Sequence, residues 1–96
     1  MAAMKTISDY LQKIERVKYD PEVKNALLAY MERRQFLKWI SSARIDDEIT
    51  GQKNENVCRL LYDDGEYEWS SSERYHLDKY NLKLSDEFIQ HVMEQQ

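Results

Sequence analysis

Ninety-six residues allow one domain, read as residues 1–96. The chain is 42% hydrophobic and 33% charged, with 2 Gly, 1 Pro and a single cysteine, Cys58. That balance suits a small soluble core and excludes collagenous or low-complexity chains, an internal disulfide framework and a thiolate-rich zinc site. No apolar run approaches the roughly 20 residues of a membrane span, and the N-terminus lacks the apolar centre of a secretory signal. The expected location is therefore cytoplasmic. The net charge of −4 is unevenly spread: residues 1–44 carry +4 and residues 45–96 carry −8.

Residues 1–4 read as a flexible or added extension, with Met4 as a natural start. Thr6, followed three residues later by Asp9, has the form of a capping box. Ile7, Leu11, Ile14 and Val17 then recur at helical spacing and predict a first helix over about residues 7–18. Asp20-Pro21 marks the start of a second helix, with Asp20 as N-cap and Pro21 in the first turn. Val23, Leu27, Tyr30 and Met31 form its apolar stripe. The period fails near Glu32-Arg33-Arg34. Residues 36–45 fit either a continued helix or a strand, and the Phe, Trp and Ile content favours the strand. Such a strand would set Leu37 and Trp39 on one face and Phe36, Lys38 and Ile40 on the other. Asp46 to Asn56 reads as a loop or a wide hairpin connection.

Val57 to Trp69 carries the strongest local pattern. Two alternating runs flank Asp64-Gly65, which predicts a two-residue hairpin turn of the primed type at 64–65. In that register Asp63 faces Glu66, Tyr62 faces Tyr67, Leu61 faces Glu68 and Leu60 faces Trp69. Alternation then gathers Cys58, Leu60, Tyr62, Tyr67 and Trp69 on a core face and Arg59, Leu61, Asp63, Glu66 and Glu68 on the opposite one. Ser70 and Glu73 form a second capping box, Asn81 is a left-handed helix terminator, and Ser85 caps a last helix with Asp86 and Glu87 in its first turn. The expected fold is α+β: two N-terminal helices, a small two- or three-stranded antiparallel sheet, and two C-terminal helices.

Little in the chain has the form of a catalytic or metal centre. His76 and His91 fall on different predicted helices. His91 is expected on the solvent face, with Glu87 and Glu94 one turn to either side, and His76 half-buried among aromatics. Cys58 points inward and behaves as a small hydrophobe. Asp46-Asp47-Glu48 lacks the alternating ligands and turn glycine of a calcium loop and reads as solvated. The Ser70-Ser71-Ser72 run is accounted for by capping. No catalytic residue, metal or cofactor is expected.

The acidic outer face of the hairpin stands apart. Turn chemistry asks only for Asp64 and Gly65, yet Asp63, Asp64, Glu66 and Glu68 stand together beside Leu61. Such a face either solubilises a sheet edge or recognises a basic protein. The preferred reading is a non-catalytic protein-binding module that uses Leu61, Asp63, Asp64, Glu66 and Glu68 against a basic partner. The alternative is a small nucleic-acid-linked regulator using Arg33, Arg34 and Lys38, and a third is an enzyme built on His76 or His91. The sequence leaves the oligomeric state open.

Three stretches carry a resemblance: Asp64-Gly65-Glu66-Tyr67-Glu68-Trp69, Tyr75-His76-Leu77-Asp78-Lys79-Tyr80 and Leu84-Ser85-Asp86-Glu87-Phe88-Ile89. Together they resemble small α+β bacterial proteins of mobile gene cassettes and toxin-immunity loci, with a DGxYxW hairpin, an aromatic helix and an LPxEF helix start. Ser85 stands where that pattern has proline. The resemblance covers about a third of the chain and implies the fold, a bacterial setting and an inhibitor or immunity role against a toxin or nuclease. It transfers no binding residues.

Overall fold

The structure, a computed structural model, describes residues 4–95. The expected N-terminal extension falls mostly outside those residues. The order of elements is β1 (Lys5–Thr6), α1 (Pro21–Met31), a 3-10 turn (Arg34–Phe36), β2 (Leu37–Asp46), β3 (Lys53–Asp63), β4 (Tyr67–Ser70), α2 (Ser71–Tyr80) and α3 (Asp86–Glu94). The four strands form one mixed sheet in the order β1-β4-β3-β2, with β1 parallel to β4 and the other pairs antiparallel.

The α+β class holds, but the expected architecture is wrong in two respects: the described residues contain three helices rather than four, and the sheet has four strands and is mixed. The first helix is the missing one. Residues 7–18 are irregular apart from a single turn, in which the Asp9 carbonyl accepts from the amides of Gln12 and Lys13. Their other backbone partners lie far along the chain. Ser85 N–H donates to Ile7 O, Lys83 N–H to Glu15 O and Val17 N–H to Asn81 O, and Arg16 bridges Leu82. A helix of a dozen residues is marginal alone, and here pairing with the 81–85 segment replaces it. Of the supposed stripe, Ile7 is fully buried while Leu11 is 82% exposed. Tyr19 fixes the end of the segment: its hydroxyl donates to Leu82 O and accepts from Leu84 N–H.

Local cap chemistry accounts for the three helices that form. The Asp20 carboxylate accepts from Glu22 N–H ahead of Pro21. Ser70 and Glu73 form the reciprocal capping box, and Asn81 ends α2 at φ 58°, ψ 48°. Ser85 accepts from Phe88 N–H. All three helices send side chains to one face of the sheet. Leu27, Tyr30 and Met31 of α1, Leu77 of α2, and Phe88 and Val92 of α3 close over Tyr62, Tyr67 and Trp69. The Trp69 indole N–H donates to the Met31 carbonyl at 2.9 Å, so this ring is both buried and satisfied.

Residues 37–46 are a strand, as favoured, but its faces differ from expectation. Leu37 pairs with Tyr62 and Trp39 with Leu61, so the register shifts between them. Leu37 packs against the core, whereas Trp39 stands across from an outward residue. A larger irregularity follows, in which Ser41 to Ala43 occupy the space opposite Arg59 alone. Bulges of this kind break up an exposed edge.

Candidate functional site

The β3–β4 hairpin does not make the two-residue turn. Its strands end at Asp63 and resume at Tyr67, and Tyr62 pairs with Trp69, Asp63 with Glu68 and Leu61 with Ser70. The register is thus two residues from the expected one. Gly65 has a positive φ of 97° but Asp64 does not, so the primed turn cannot form. Asp64 instead accepts from the amides of Glu66 and Tyr67, and Asp63 from Gly65 N–H. These side-chain bonds stabilise a three-residue connection. A shift of two preserves strand alternation. Tyr62, Tyr67 and Trp69 remain in the core, and Leu61, Asp63 and Glu68 remain on the opposite face.

The five expected binding residues therefore separate. Leu61, Asp63 and Glu68 stay together on the sheet face opposite the one on which the described helices pack. Asp64 turns the other way. Its side chain is almost wholly buried, accepting from the Tyr30 hydroxyl at 2.6 Å and from His91 Nε2 at 2.8 Å. Burial alone would raise the Asp64 pKa, but the hydrogen bonds from Tyr30, Tyr67 N–H, Glu66 N–H and His91 together hold it below the ordinary carboxylate range. Glu66 is exposed and lies toward α3, with Oε2 3.8 Å from His91 Nδ1.

His91 was expected on the solvent face; it is half-buried between Asp64 and the rings of Tyr67 and Phe88. His76 was expected half-buried and is fully buried. Both its ring nitrogens are engaged: Nε2 accepts from Glu48 N–H and Nδ1–H donates to Ser72 O. Asp47, read as part of a solvated loop, is buried too, accepting from the hydroxyls of Tyr75 and Tyr80 and the amides of Ile49 and Thr50. Burial opposes its ionisation, yet those four donors hold its pKa well below the usual value. Side chains of low sequence separation carried no sign of these long-range partners. Among the described residues no group of three His, Cys, Asp or Glu is arranged to hold a metal ion.

Sequence reasoning missed part of the open face. Trp39 stands directly across from Leu61 on β2, and the two are 54% and 39% exposed, whereas Ile40, 64% exposed, pairs with Leu60 and points to the other face. On the same face the Asp63–Glu68 pair brings two carboxylates together across the strands. Only the bulge in β2 brings Trp39 onto this face, and residue alternation alone could not reveal it. The cations of the alternative reading are less available as a set. Arg33 is half-buried with its guanidinium 4.8 Å from the Tyr30 ring centre, while Arg34 and Lys38 are exposed.

No protein-family model matches the chain, and no curated protein or solved structure is found to be similar to it. Among the described residues no helix is long and apolar enough to cross a membrane.

Proposed function

We propose that this protein is a non-catalytic binding module that engages a basic protein through the open face of its sheet. The observation that carries the reading is the Trp39–Leu61 pair beside the Asp63–Glu68 pair, on a face to which no helix contributes core residues. An aromatic anchor with apolar neighbours and a charged border is the usual make-up of a protein interface. Two carboxylates directly opposite each other destabilise the free chain slightly; a cation from a partner would relieve that repulsion. Asp64 supports the face indirectly by holding the hairpin tip, and Glu66 lies at its margin. The buried, fully engaged His76 and the paired His91 add nothing that favours catalysis. A cytoplasmic inhibitor or toxin-immunity protein acting on a nuclease or similar basic target fits this surface.

The test is affinity capture from the source cell with the parent chain and two variants, Trp39→Ser/Glu68→Lys and Arg33→Gln/Arg34→Gln. The reading expects one partner of basic surface that the first variant loses and the second retains. Loss in the arginine variant with retention in the open-face variant overturns it in favour of the nucleic-acid-linked regulator.

A further inference from the structure

A second surface, sharing no residue with the open sheet face, lies where the irregular N-terminal segment crosses the end of α2. A shallow, open groove is lined by Arg16, Val17, Lys18, Lys79, Tyr80 and Asn81. Three of its six residues are cationic and none is acidic, in a chain whose net charge is −4. We infer that this groove binds a small phosphate-bearing anion of the di- or triphosphate class.

The walls are fixed by backbone bonds. Arg16 bridges Leu82, Val17 N–H donates to Asn81 O, and Asn81 N–H closes the helix onto Leu77 O. The left-handed Asn81 is further held by Lys24 Nζ, which donates to its Oδ1 at 2.6 Å and to Asp78 O at 2.9 Å. Among the described residues its side-chain Nδ2 makes no hydrogen bond. The Tyr80 hydroxyl is anchored on Asp47, which holds its ring beside the Arg16 guanidinium at 5.0 Å and the Lys79 ammonium at 5.6 Å. A pre-organised site loses less conformational freedom on binding.

Two of the three charges are also uncompensated among the described residues. Glu15, the acid next to Arg16 in sequence, is taken up by Lys13 and Lys83, each at 3.1 Å. Arg16 has a ring contact but no carboxylate partner, and Lys18 makes no hydrogen bond, ion pair or ring contact among the described residues. Only Lys79 shares an acid, at 3.9 Å from Asp47. Guanidinium and ammonium donors around one concavity suit phosphate oxygens. Three cations around a shallow, open depression call for more than a single negative charge.

The experiment is a calorimetric titration of the intact chain with pyrophosphate, a nucleoside triphosphate and a short single-stranded RNA at low salt. The parent should bind pyrophosphate and the triphosphate, and Arg16→Gln/Lys18→Gln should weaken both at least tenfold. Arg33→Gln/Arg34→Gln removes the same charge elsewhere and should leave affinity within twofold. Lys18→Gln alone removes no intramolecular contact, so it keeps the fold and should weaken binding at least threefold. The inference is overturned if millimolar pyrophosphate and triphosphate both fail to bind, if both charge variants lose affinity equally, or if only the RNA binds. The first of these outcomes leaves the open-face reading untouched, whereas binding of RNA alone or equal loss in the Arg33/Arg34 variant counts for the nucleic-acid-linked alternative.

Discussion

The Tyr30 hydroxyl donates to the Asp64 carboxylate at 2.6 Å, tying helix α1 to the tip of a hairpin 34 residues away. Burial, and then Asp64 itself, push the Tyr30 pKa well above its ordinary value, so Tyr30 is the donor throughout the accessible pH range. Tyr30→Phe leaves a buried carboxylate short of one partner. It should cost about 1–3 kcal/mol in denaturant melts at neutral pH, the range for an unmet buried polar group. A loss within experimental error would mean that the bond adds nothing.

Asp64 and Asp47 both have lowered pKa values in the folded chain. Their contribution to stability is therefore complete above the unfolded carboxylate value of about 4 and is lost as pH falls through the lower folded values. Acid melts should show a steep loss below about pH 4, and Tyr30→Phe should move that limb to higher pH by releasing one donor from Asp64. An unmoved limb would remove Asp64 from the account.

Glu73 has the opposite sign. Burial raises its pKa to about 7 despite hydrogen bonds from Ser8 Oγ and Ser70 N–H, and Glu68 raises it further. The folded chain then binds more protons than the unfolded one between about pH 4.3 and 7, so stability falls as pH rises through that window. Glu73→Gln preserves the capping-box type and should flatten that slope. It should also be more stable than the parent at pH 8 by roughly 3 kcal/mol, the order expected from the rise of the Glu73 pKa to about 7. Equal pH slopes in the two chains would contradict this.

The two tryptophans should behave oppositely. Trp69→Ala removes a ring that is 1% exposed and bonded to Met31 O, and should cost about 3–5 kcal/mol. Trp39→Ala, at an exposed site, should change stability by only about half a kcal/mol. Comparable losses in urea melts would mean that the open face is not open.

Where chemistry is local, the chain is legible. Asp20-Pro21, Ser70 with Glu73, Asn81 and Ser85 each fix a helix end through partners within four residues, and each stands where the sequence puts it. Period-2 alternation likewise separates Tyr62, Tyr67 and Trp69 from Leu61, Asp63 and Glu68, and it survives the two-residue slip. What depends on distant partners is not legible. Ile7 to Val17 has helical spacing but takes its bonds from residues 81–85. Asp64 looks like a free turn acid until Tyr30 and His91 arrive from other helices. Trp39 joins the candidate face through a bulge that only pairing with β3 reveals.

Glu68→Lys should separate stability from binding. It places a cation opposite Asp63 and replaces a like-charge pair. Urea melts should show the parent stability or a gain of roughly 0.2–1 kcal/mol. Binding to the captured partner should weaken by several kcal/mol if the face meets cations. A variant that binds as tightly as the parent would take Glu68 out of the interface.

The most direct test of the central claim uses the two tryptophans as reporters. Labelling the chain with 5-fluorotryptophan gives one fluorine resonance from exposed Trp39 and one from buried Trp69, assigned by Trp39→Phe, and a partner contributes none. Titration with the captured partner should shift the Trp39 resonance and remove its sensitivity to solvent isotope, while the Trp69 resonance holds its position. A Trp39 resonance unchanged at saturation, with binding confirmed independently, would contradict recognition through the open face of the sheet.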